Sequence, residues 1–243
     1  MSKAEEFHLK KSLELLKTNG LAPRTMFDIG VATGTPGFYK TFEGVRYVLV
    51  DPLAESEPFM RKICDQFEGA VYELAAAGAA PGEATFAVEP GLSASSFFRR
   101  DGEKRSVPII TLDSLVEKYA LEGPFLIKLD VQGYELEVMK GLERHWDKVE
   151  AVVTETGFWS DRKANGAVPF HELVAFMAAR DFMFYDIAGL VRRPRDGAFA
   201  EADLVFVRAN SKLREHASYR TPEQVVERQK EKAAKFASQN ART

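Results

Sequence analysis

Two carboxylic acids follow short apolar stretches in the second half of the chain. Asp130 ends the stretch FLIKLD, and Glu155 ends the stretch EAVVTE. A glycine and then helix-forming residues come soon after Asp130, which is the order expected where a parallel strand turns into a helix. Because ligands of α/β proteins bind at the carboxyl ends of parallel strands, both carboxylates are predicted to face one crevice.

The two acids suit a reaction in which an acceptor group must lose a proton. A positioned carboxylate can accept that proton. Asp130 is the first candidate for this base, and Glu155 is predicted to bracket the acceptor with it. Two alternatives stay open: Asp130 is the N-cap of the next helix, or Asp130 and Glu155 share a hard cation such as Mg²⁺. Two carboxylates without a clear third ligand are only a weak indication of a metal site.

A glycine-rich segment early in the chain indicates the kind of ligand. The stretch DIGVATGTPG, residues 28–37, follows an apolar strand, and its glycines allow a ligand to lie against the backbone. Asp51 ends the next strand about twenty residues later, where an acid accepts hydrogen bonds from ribose hydroxyls. The spacing differs from the G-x-G-x-x-G of dinucleotide-binding enzymes. The combination predicts an adenosine-type ligand, and S-adenosylmethionine (SAM) is favoured over NAD because it has no pyrophosphate.

Strands and helices alternate along most of the chain, which predicts a mostly parallel sheet covered on both faces. The final two strands are expected to pair antiparallel at one edge. Strands are predicted at 25–32, 46–52, 70–78, 83–90, 106–112, 125–131, 150–156, 182–189 and 202–210. Helices are predicted at 4–18, 38–44, 54–68, 111–120, 134–142, 169–181 and 221–239.

Composition places the chain among ordinary globular proteins. Of its 243 residues, 45% are hydrophobic and 28% are charged, and the formal net charge is -3. This charge gives no indication of a nucleic-acid-binding surface. The single cysteine, Cys64, excludes an intramolecular disulfide. The charged start of the sequence lacks the apolar core of a signal peptide, and no segment approaches the roughly 18 apolar residues of a membrane span, so a cytoplasmic protein is expected.

Several motifs together resemble the FkbM family of SAM-dependent methyltransferases. They are FDIGVATGTPGFYKTF, the acid of VLVDPL, the LSASSFF loop, VPIITLDSL, LIKLDVQGYELEVMKGL and YDIAGLVRRPRDGAFAEADLVFVR. The resemblance runs from about residue 25 to residue 210, and KLDVQGYELEVMKG is its most specific part. It implies O-methylation of a hydroxyl on a sugar, a glycan or a natural-product acceptor. An N-methyltransferase acting on an amine or peptide, and a non-catalytic adenosine-binding module, stay as alternatives.

The resemblance also implies a fold, and charge and apolar periodicity along the chain predict the segments on either side of it. The fold is the Rossmann-like class I methyltransferase fold, a mostly parallel seven-stranded sheet with an antiparallel edge strand, helices on both faces and an added β-hairpin. An N-terminal helix is expected at 1–20, the methyltransferase domain at 21–210, and a charged helical tail at 211–243, with self-association through the terminal helices as one option.

Two segments depart from the commoner family pattern. The first is GVATGTPG, where the commoner form has Gly-Ala-Asn before its later glycine. The second is AAAGAAPGEATF, which has small residues where many relatives carry an Asp, so backbone and apolar contacts to adenine are expected there.

Site residues follow from these matches. The cofactor is expected to contact Asp28, Gly30, Gly34, Asp51, Ala76, Ala77 and Asp130. The substrate is expected to contact Ser95, Ser96, Gln132 and Trp159. Lys128 shares a strand face with Asp130 and is expected to pair with an acid, while Glu135 caps the helix or lines the site. Phe158 and Trp159 either stack on a sugar ring or join the core, and Arg192, Arg193 and Arg195 form either a solvated face or a site for an anionic acceptor.

Overall fold

The computed structural model describes residues 8–35, 37–88, 103–159, 168–216 and 218–240. The strands in this part of the chain are β1 (Thr25–Ile29), β2 (Arg46–Asp51), β3 (Val71–Leu74), β4 (Ala76–Ala77), β5 (Gly82–Val88), β6 (Glu103–Ile110), β7 (Phe125–Leu129), β8 (Val149–Gly157), β9 (Phe182–Arg192) and β10 (Phe199–Arg208). The α-helices are α1 (Leu9–Thr18), α2 (Glu57–Cys64), α3 (Leu112–Lys118), α4 (Glu135–Lys140), α5 (Phe170–Ala178) and α6 (Pro222–Asn240).

Seven strands form the main sheet, in the order β3-β2-β1-β7-β8-β10-β9. Neighbouring strands from β3 to β8 are parallel, and β10 runs antiparallel to both β8 and β9. The prediction of a class I methyltransferase fold is confirmed, including the antiparallel pairing at one edge. The chain proceeds outward from β1 in one direction and then from β7 in the other, so β1 and β7 flank the switch point where α/β proteins bind ligands.

The apolar strands are buried on both faces, as expected of a covered parallel sheet. Phe27 and Ile29 of β1 pack into one core with residues of α3, α4 and α5. Met26, one position away, packs into the opposite core with residues of α1 and α2. This alternation fixes which side of the sheet each side chain reaches, including those at the strand ends.

A second, three-stranded sheet has the order β4-β6-β5, with β5 antiparallel to β6 as the predicted hairpin requires. The predicted strand 70–78 is divided between the two sheets, because β3 pairs with β2 whereas β4 pairs with β6. Ala76 packs in an apolar cluster with Leu53, Phe86 and Val107, which draws this end of the segment into the smaller sheet.

The predicted helix at 38–44 is wrong. Residues 37–44 form turns and bends, and Lys40 and Gly44 have φ angles of 75° and 65°. These left-handed conformations are incompatible with a continuous α-helix. Phe38, Tyr39 and Phe42 are buried in the core beside α1 and α2, so tertiary packing outweighs the local helix preference.

The chain divides into two compact units, one reaching to Leu213 and the other starting at Arg214. The second unit contains α6, whose side chains are exposed from residue 222 to residue 234. The predicted domain boundaries and the predicted self-association stay predictions. Across the residues that the structure covers, no helix combines the length and the apolar character needed to cross a membrane.

We predict that Gly30→Ala destabilises the protein by about 3 kcal/mol or more. Gly30 has a φ of 83°, and a Cβ at this position would lie 1.9 Å from the backbone oxygen of Asp130. Gly44→Ala is the matched control, because Gly44 has a φ of 65° but nothing within 4 Å of its Cβ position. Urea unfolding of both variants measures the difference, and equal losses would contradict the close approach of the two turns.

Candidate active site

A cleft of about 240 Å³ opens at the carboxyl ends of β1, β2 and β7. Of the residues predicted to bind a ligand, Gly30, Gly34, Asp51, Ala76, Ala77, Asp130 and Gln132 line it. The full lining consists of residues 29–35, 50–53, 75–77 and 130–132, together with Phe86 and Tyr134. Ser95 and Ser96 lie outside the described residues.

The floor of the cleft is formed where two turns meet. The backbone N–H of Asp130 donates to the carbonyl of Ile29 at 3.0 Å, and the N–H of Gly30 donates to the carbonyl of Val50 at 2.9 Å. These bonds continue the sheet ladder past the strand ends. A side chain on Gly30 would collide with Asp130, so this glycine is required by a backbone contact as well as by its φ angle.

The side chain of Asp51 binds two loops of the cleft wall through hydrogen bonds. Its Oδ2 accepts a hydrogen bond from the N–H of Ala32 at 2.8 Å, and its Oδ1 accepts one from the N–H of Leu53 at 2.9 Å. The residue is 5% exposed. Burial raises the pKa of Asp51, and the two backbone donors oppose that effect. A carboxylate has about four acceptor positions, so Asp51 retains capacity for further donors.

Asp28, predicted to contact the cofactor, is instead part of the core. Its side chain is fully buried on the face of β1 opposite Phe27 and Ile29. Its Oδ2 accepts a hydrogen bond from the hydroxyl of Tyr39, and its Oδ1 lies 3.2 Å from Nζ of Lys128. A carboxylate this deeply buried needs a cation, and Lys128 supplies it from the neighbouring strand.

Lys128 joins Asp28 to Asp130. Its Nζ lies 3.2 Å from Oδ1 of Asp28 and 3.5 Å from Oδ2 of Asp130. Burial disfavours the charged amine, but the charges of Asp28 and Asp130 outweigh this effect and raise the pKa of Lys128 above its ordinary value. The predicted pairing of Lys128 with an acid on its own strand is therefore confirmed.

Gln132 bridges the two predicted catalytic acids. Its Nε2 donates to Oδ1 of Asp130 and to Oε2 of Glu155, each at 3.1 Å. Gln132 has a φ of 52°, a left-handed conformation that aims the backbone of the turn after β7. The structure thus brings Asp130 and Glu155 together through a shared donor, with Asp130 on the wall of the cleft and Glu155 behind Gln132.

The interpretation of Asp130 as a helix N-cap is wrong. The N-cap of α4 is Tyr134, and its side chain makes no capping hydrogen bond. Glu135 binds the turn instead, because its Oε1 accepts from the N–H of Gly133 at 3.0 Å and from that of Val131 at 3.4 Å. Glu135 thus stabilises the turn before α4 rather than capping the helix, and the side chain of Asp130 is 42% exposed beside the cleft.

The pKa values of two acids behind Asp130 are shifted toward the neutral form. Burial raises the pKa of Glu155 far above its ordinary value of 4.5, and the nearby charges of Asp130 and Glu135 add to the effect. Burial likewise raises the pKa of Asp203, which lies opposite Glu155 in the pairing of β10 with β8. Glu155 therefore holds its proton near neutral pH.

The aromatic residues after β8 lie on the surface. Trp159 is 61% exposed, with the guanidinium of Arg193 4.4 Å from its ring centre, so it does not join the core. Phe158 is half-exposed and stacks with Phe170 at 5.5 Å and with Phe199 at 6.1 Å.

The loop arginines are partly engaged within the protein. Arg193 lies 3.4 Å from Asp196, and the guanidinium of Arg192 lies 4.1 Å from the ring centre of Phe199. These contacts suit the interpretation of the loop as a solvated face.

The described residues contain no group of three or more His, Cys, Asp or Glu side chains that could hold a metal ion. Asp130 and Glu155 are joined by the amide of Gln132. The described residues therefore give no support to the magnesium alternative.

Sequence reasoning missed Tyr134, Phe86 and Leu53 in the cleft wall. Tyr134 was assigned only to the helix after Asp130, although an aromatic residue four positions past a strand end is placed to reach the crevice. Phe86 lies on the added hairpin, and the alternation of EATFAVEP already marks it as an inward-facing residue.

We predict that Glu155→Gln gains stability over the wild type as pH rises. Because the folded pKa is raised, the wild type loses about 1.4 kcal/mol per pH unit between the unfolded and folded pKa values of Glu155. That loss begins near pH 4.5 and continues through neutrality. Urea unfolding at several pH values measures it. Glu57→Gln is the control, because Tyr72 and Arg61 lower the pKa of Glu57 instead of raising it. A stability difference between Glu155→Gln and the wild type that does not change with pH would contradict the raised pKa of Glu155.

Comparison with solved structures gives remote likenesses. The chain is similar to N-methyltransferase NodS from Bradyrhizobium japonicum WM9 in complex with S-adenosyl-L-homocysteine, at 8% identity over 82% of this chain and 85% of that one, with a TM-score of 0.48. It is similar to an O-methyltransferase from Bacillus cereus in complex with SAH, at 14% identity over 82% of this chain and 80% of that one, with a TM-score of 0.44. Because these TM-scores are below 0.5, nothing about the chemistry of this chain is taken from them.

Comparison of the sequence with protein families gives a direct assignment. No curated protein matches the chain in sequence. The family profile described as the methyltransferase FkbM domain matches residues 28–184, which is more than half of the chain and includes Asp51, Asp130 and Glu155. The chain therefore belongs to the FkbM methyltransferase domain family.

Proposed function

We propose that the protein is a SAM-dependent methyltransferase that methylates a hydroxyl oxygen of a sugar, a glycan or a natural-product acceptor. The observation that carries the proposal is the position of Asp130, a half-exposed carboxylate on the wall of the same cleft as Gly30 and Asp51. Family membership supports the methyl-transfer class. The choice of oxygen over nitrogen rests on the chemistry of the acids, and the class of acceptor rests on the family resemblance.

The cleft residues fit SAM. Asp51 keeps acceptor capacity for ribose hydroxyls after binding the N–H groups of Ala32 and Leu53. Gly30 has no side chain, so a ligand can approach the backbone at the floor of the cleft. Ala76, Ala77 and Phe86 form a small apolar wall against which an adenine ring can pack. Asp28 belongs to the buried support under this site rather than to the binding surface.

When bound, SAM supplies an electrophilic methyl group on a sulfonium sulfur. The residues of the chain then have to hold the acceptor in line and take up its proton. Asp130 is suited to the second task because Lys128 lies 3.5 Å from its Oδ2 and Gln132 donates to its Oδ1. Glu155 retains its own proton near neutral pH and is suited to donating a hydrogen bond to the acceptor.

The need for a base favours oxygen as the acceptor atom. A hydroxyl is a poor nucleophile until its proton is removed, whereas a neutral amine attacks through its lone pair and loses a proton afterwards. A carboxylate held beside the cleft is therefore of most use to an alcohol. Gln132 and the exposed Trp159 are proposed to contact the acceptor, and the part assigned to Ser95 and Ser96 stays a prediction.

We predict that Asp51→Ala weakens SAM binding by about 10- to 100-fold, since losing a charged hydrogen-bond partner costs roughly 1.5–3 kcal/mol. Calorimetric titration of SAM measures the change. Asp65→Ala is the control, because Asp65 is an exposed acid just after α2. Unchanged affinity in a folded Asp51→Ala variant would place the ribose elsewhere.

We predict that Asp130→Asn slows methyl transfer by on the order of 10²–10⁴-fold while SAM affinity stays close to that of the wild type. Asn is nearly isosteric, and its amide oxygen can still accept the hydrogen bond from Gln132. Methyl-labelled SAM, screened against sugars, polyketides and a cell extract, supplies the acceptor for single-turnover measurements. A rate equal to that of the wild type, at saturating SAM and acceptor, would remove Asp130 from the chemistry.

A further inference from the structure

The carboxylate proposed as the base lies in an unusually acidic environment. Three acids from three different elements are affected by its charge: Glu155 on β8, Asp203 on β10 and Glu135 on α4. A fourth acid, Asp28 on β1, shares the cation Lys128 with it. Like charges so close together disfavour ionisation, and burial disfavours it further. Asp130 therefore needs a specific partner if it is to be the member of this group that stays available to accept a proton.

Lys128 has the position of that partner. Among the described residues, it is the cation whose Nζ lies within ion-pair distance of two of these acids, 3.2 Å from Asp28 and 3.5 Å from Asp130. Lys128 is 8% exposed, so its charge is screened little by water. The ammonium group therefore lies between the buried Asp28 and the half-exposed Asp130, which lines the cleft.

Three acids near Asp130 are affected by burial and by its charge. The pKa values of Glu155, Glu135 and Asp203 are all raised, first by burial and then by the charge of Asp130 in each case. The three acids that lie farther from Lys128 are thus shifted toward their protonated forms. Asp130 differs from them because the ammonium group of Lys128 lies 3.5 Å from its Oδ2.

We propose that Lys128 is a positioning residue for the methyl-transfer site, holding the carboxylate of Asp130 ionised and oriented toward the acceptor, with Asp28 anchoring Lys128 from below. The inference rests on the proposed function, because it assigns Lys128 a role through the base Asp130. It adds that the pair Asp28–Lys128, buried away from the cleft, controls the pH range over which the enzyme works.

The test uses two variants that treat the buried charges differently. Lys128→Met alone would leave Asp28 buried without a cation and can fail to fold. The double variant Asp28→Asn/Lys128→Met removes both charges and leaves no uncompensated buried charge. The single variant Asp28→Asn keeps the cation beside Asp130 and removes only its anchor, and the hydroxyl of Tyr39 can still donate to the amide oxygen.

The first readout is the pH profile of single-turnover methyl transfer, with the acceptor preparation kept constant. An opposite charge at this distance favours a carboxylate by about 1–3 pH units. In the double variant, the decline of the rate toward low pH should therefore begin at least about 1 unit higher than in the wild type. In Asp28→Asn the pH at which the rate begins to decline should not move upward, because Lys128 remains beside Asp130. An unchanged profile in the folded double variant, or equal upward shifts in both variants, would overturn the proposal.

The second readout needs no acceptor and separates this inference from the proposed function. The side-chain amide of Gln132 donates to Asp130, so its NMR signals report where that carboxylate lies. Gln132→Leu identifies these signals by their loss. In the double variant they should shift or broaden while the backbone signals of β2 stay in place. Unchanged Gln132 signals would overturn the positioning role, whereas an inactive wild type with shifted signals would overturn only the proposed function.

Discussion

A lysine buried between two carboxylates holds the centre of this structure together. Lys128 lies on β7, Asp28 on the adjacent β1, and Asp130 just past the end of β7. Burying the ionic groups of Lys128 and Asp28 is unfavourable unless they compensate one another, and removing one partner of a buried ion pair typically costs about 3–5 kcal/mol. The ion pair therefore favours the register in which the ends of β1 and β7 lie side by side, and that register forms the floor of the cleft.

Other features of the site depend on this arrangement. Tyr39 donates to Asp28, and this bond fixes the irregular segment between β1 and β2 against the sheet. The Gly30 turn lies against the backbone of Asp130 at a distance that admits no side chain. Asp51 then holds the loops after β1 and β2 by their N–H groups. The cleft is thus organised before a ligand arrives, which is the condition under which positioned groups contribute most to a reaction.

The sequence was sufficient to predict the main sheet and the acids at its edge. Short apolar runs that end on Asp51, Asp130 and Glu155 allow few arrangements other than parallel strands with their carboxyl ends together. The direction of individual side chains was harder to predict. Asp28 follows an apolar run in the same way as Asp51. Strand alternation nevertheless directs the side chain of Asp28 into the core, where its partners are Tyr39 and Lys128, which are distant in the sequence.

The errors in predicted elements have the same origin. Residues 38–44 contain residues that form helices readily, yet burial of Phe38, Tyr39 and Phe42 favours a turn with left-handed residues. Residues 70–78 read as one strand, and their division between two sheets depends on the partner β6, more than thirty positions away along the chain. Local patterns carry no information about such contacts. The binding of the turn before α4 by Glu135, rather than capping of α4 by Asp130, likewise depends on turn geometry that only the structure supplies.

Calorimetric titration of the wild-type protein with SAM, S-adenosylhomocysteine and NAD tests the central claim most directly. The cleft combines the acid Asp51, proposed to bind ribose hydroxyls, with a glycine turn, and the sequence of that turn lacks the G-x-G-x-x-G spacing of a pyrophosphate site. The account predicts that SAM and S-adenosylhomocysteine each bind at one site per chain and that NAD gives no binding heat. Binding of NAD without binding of either adenosyl ligand would contradict it.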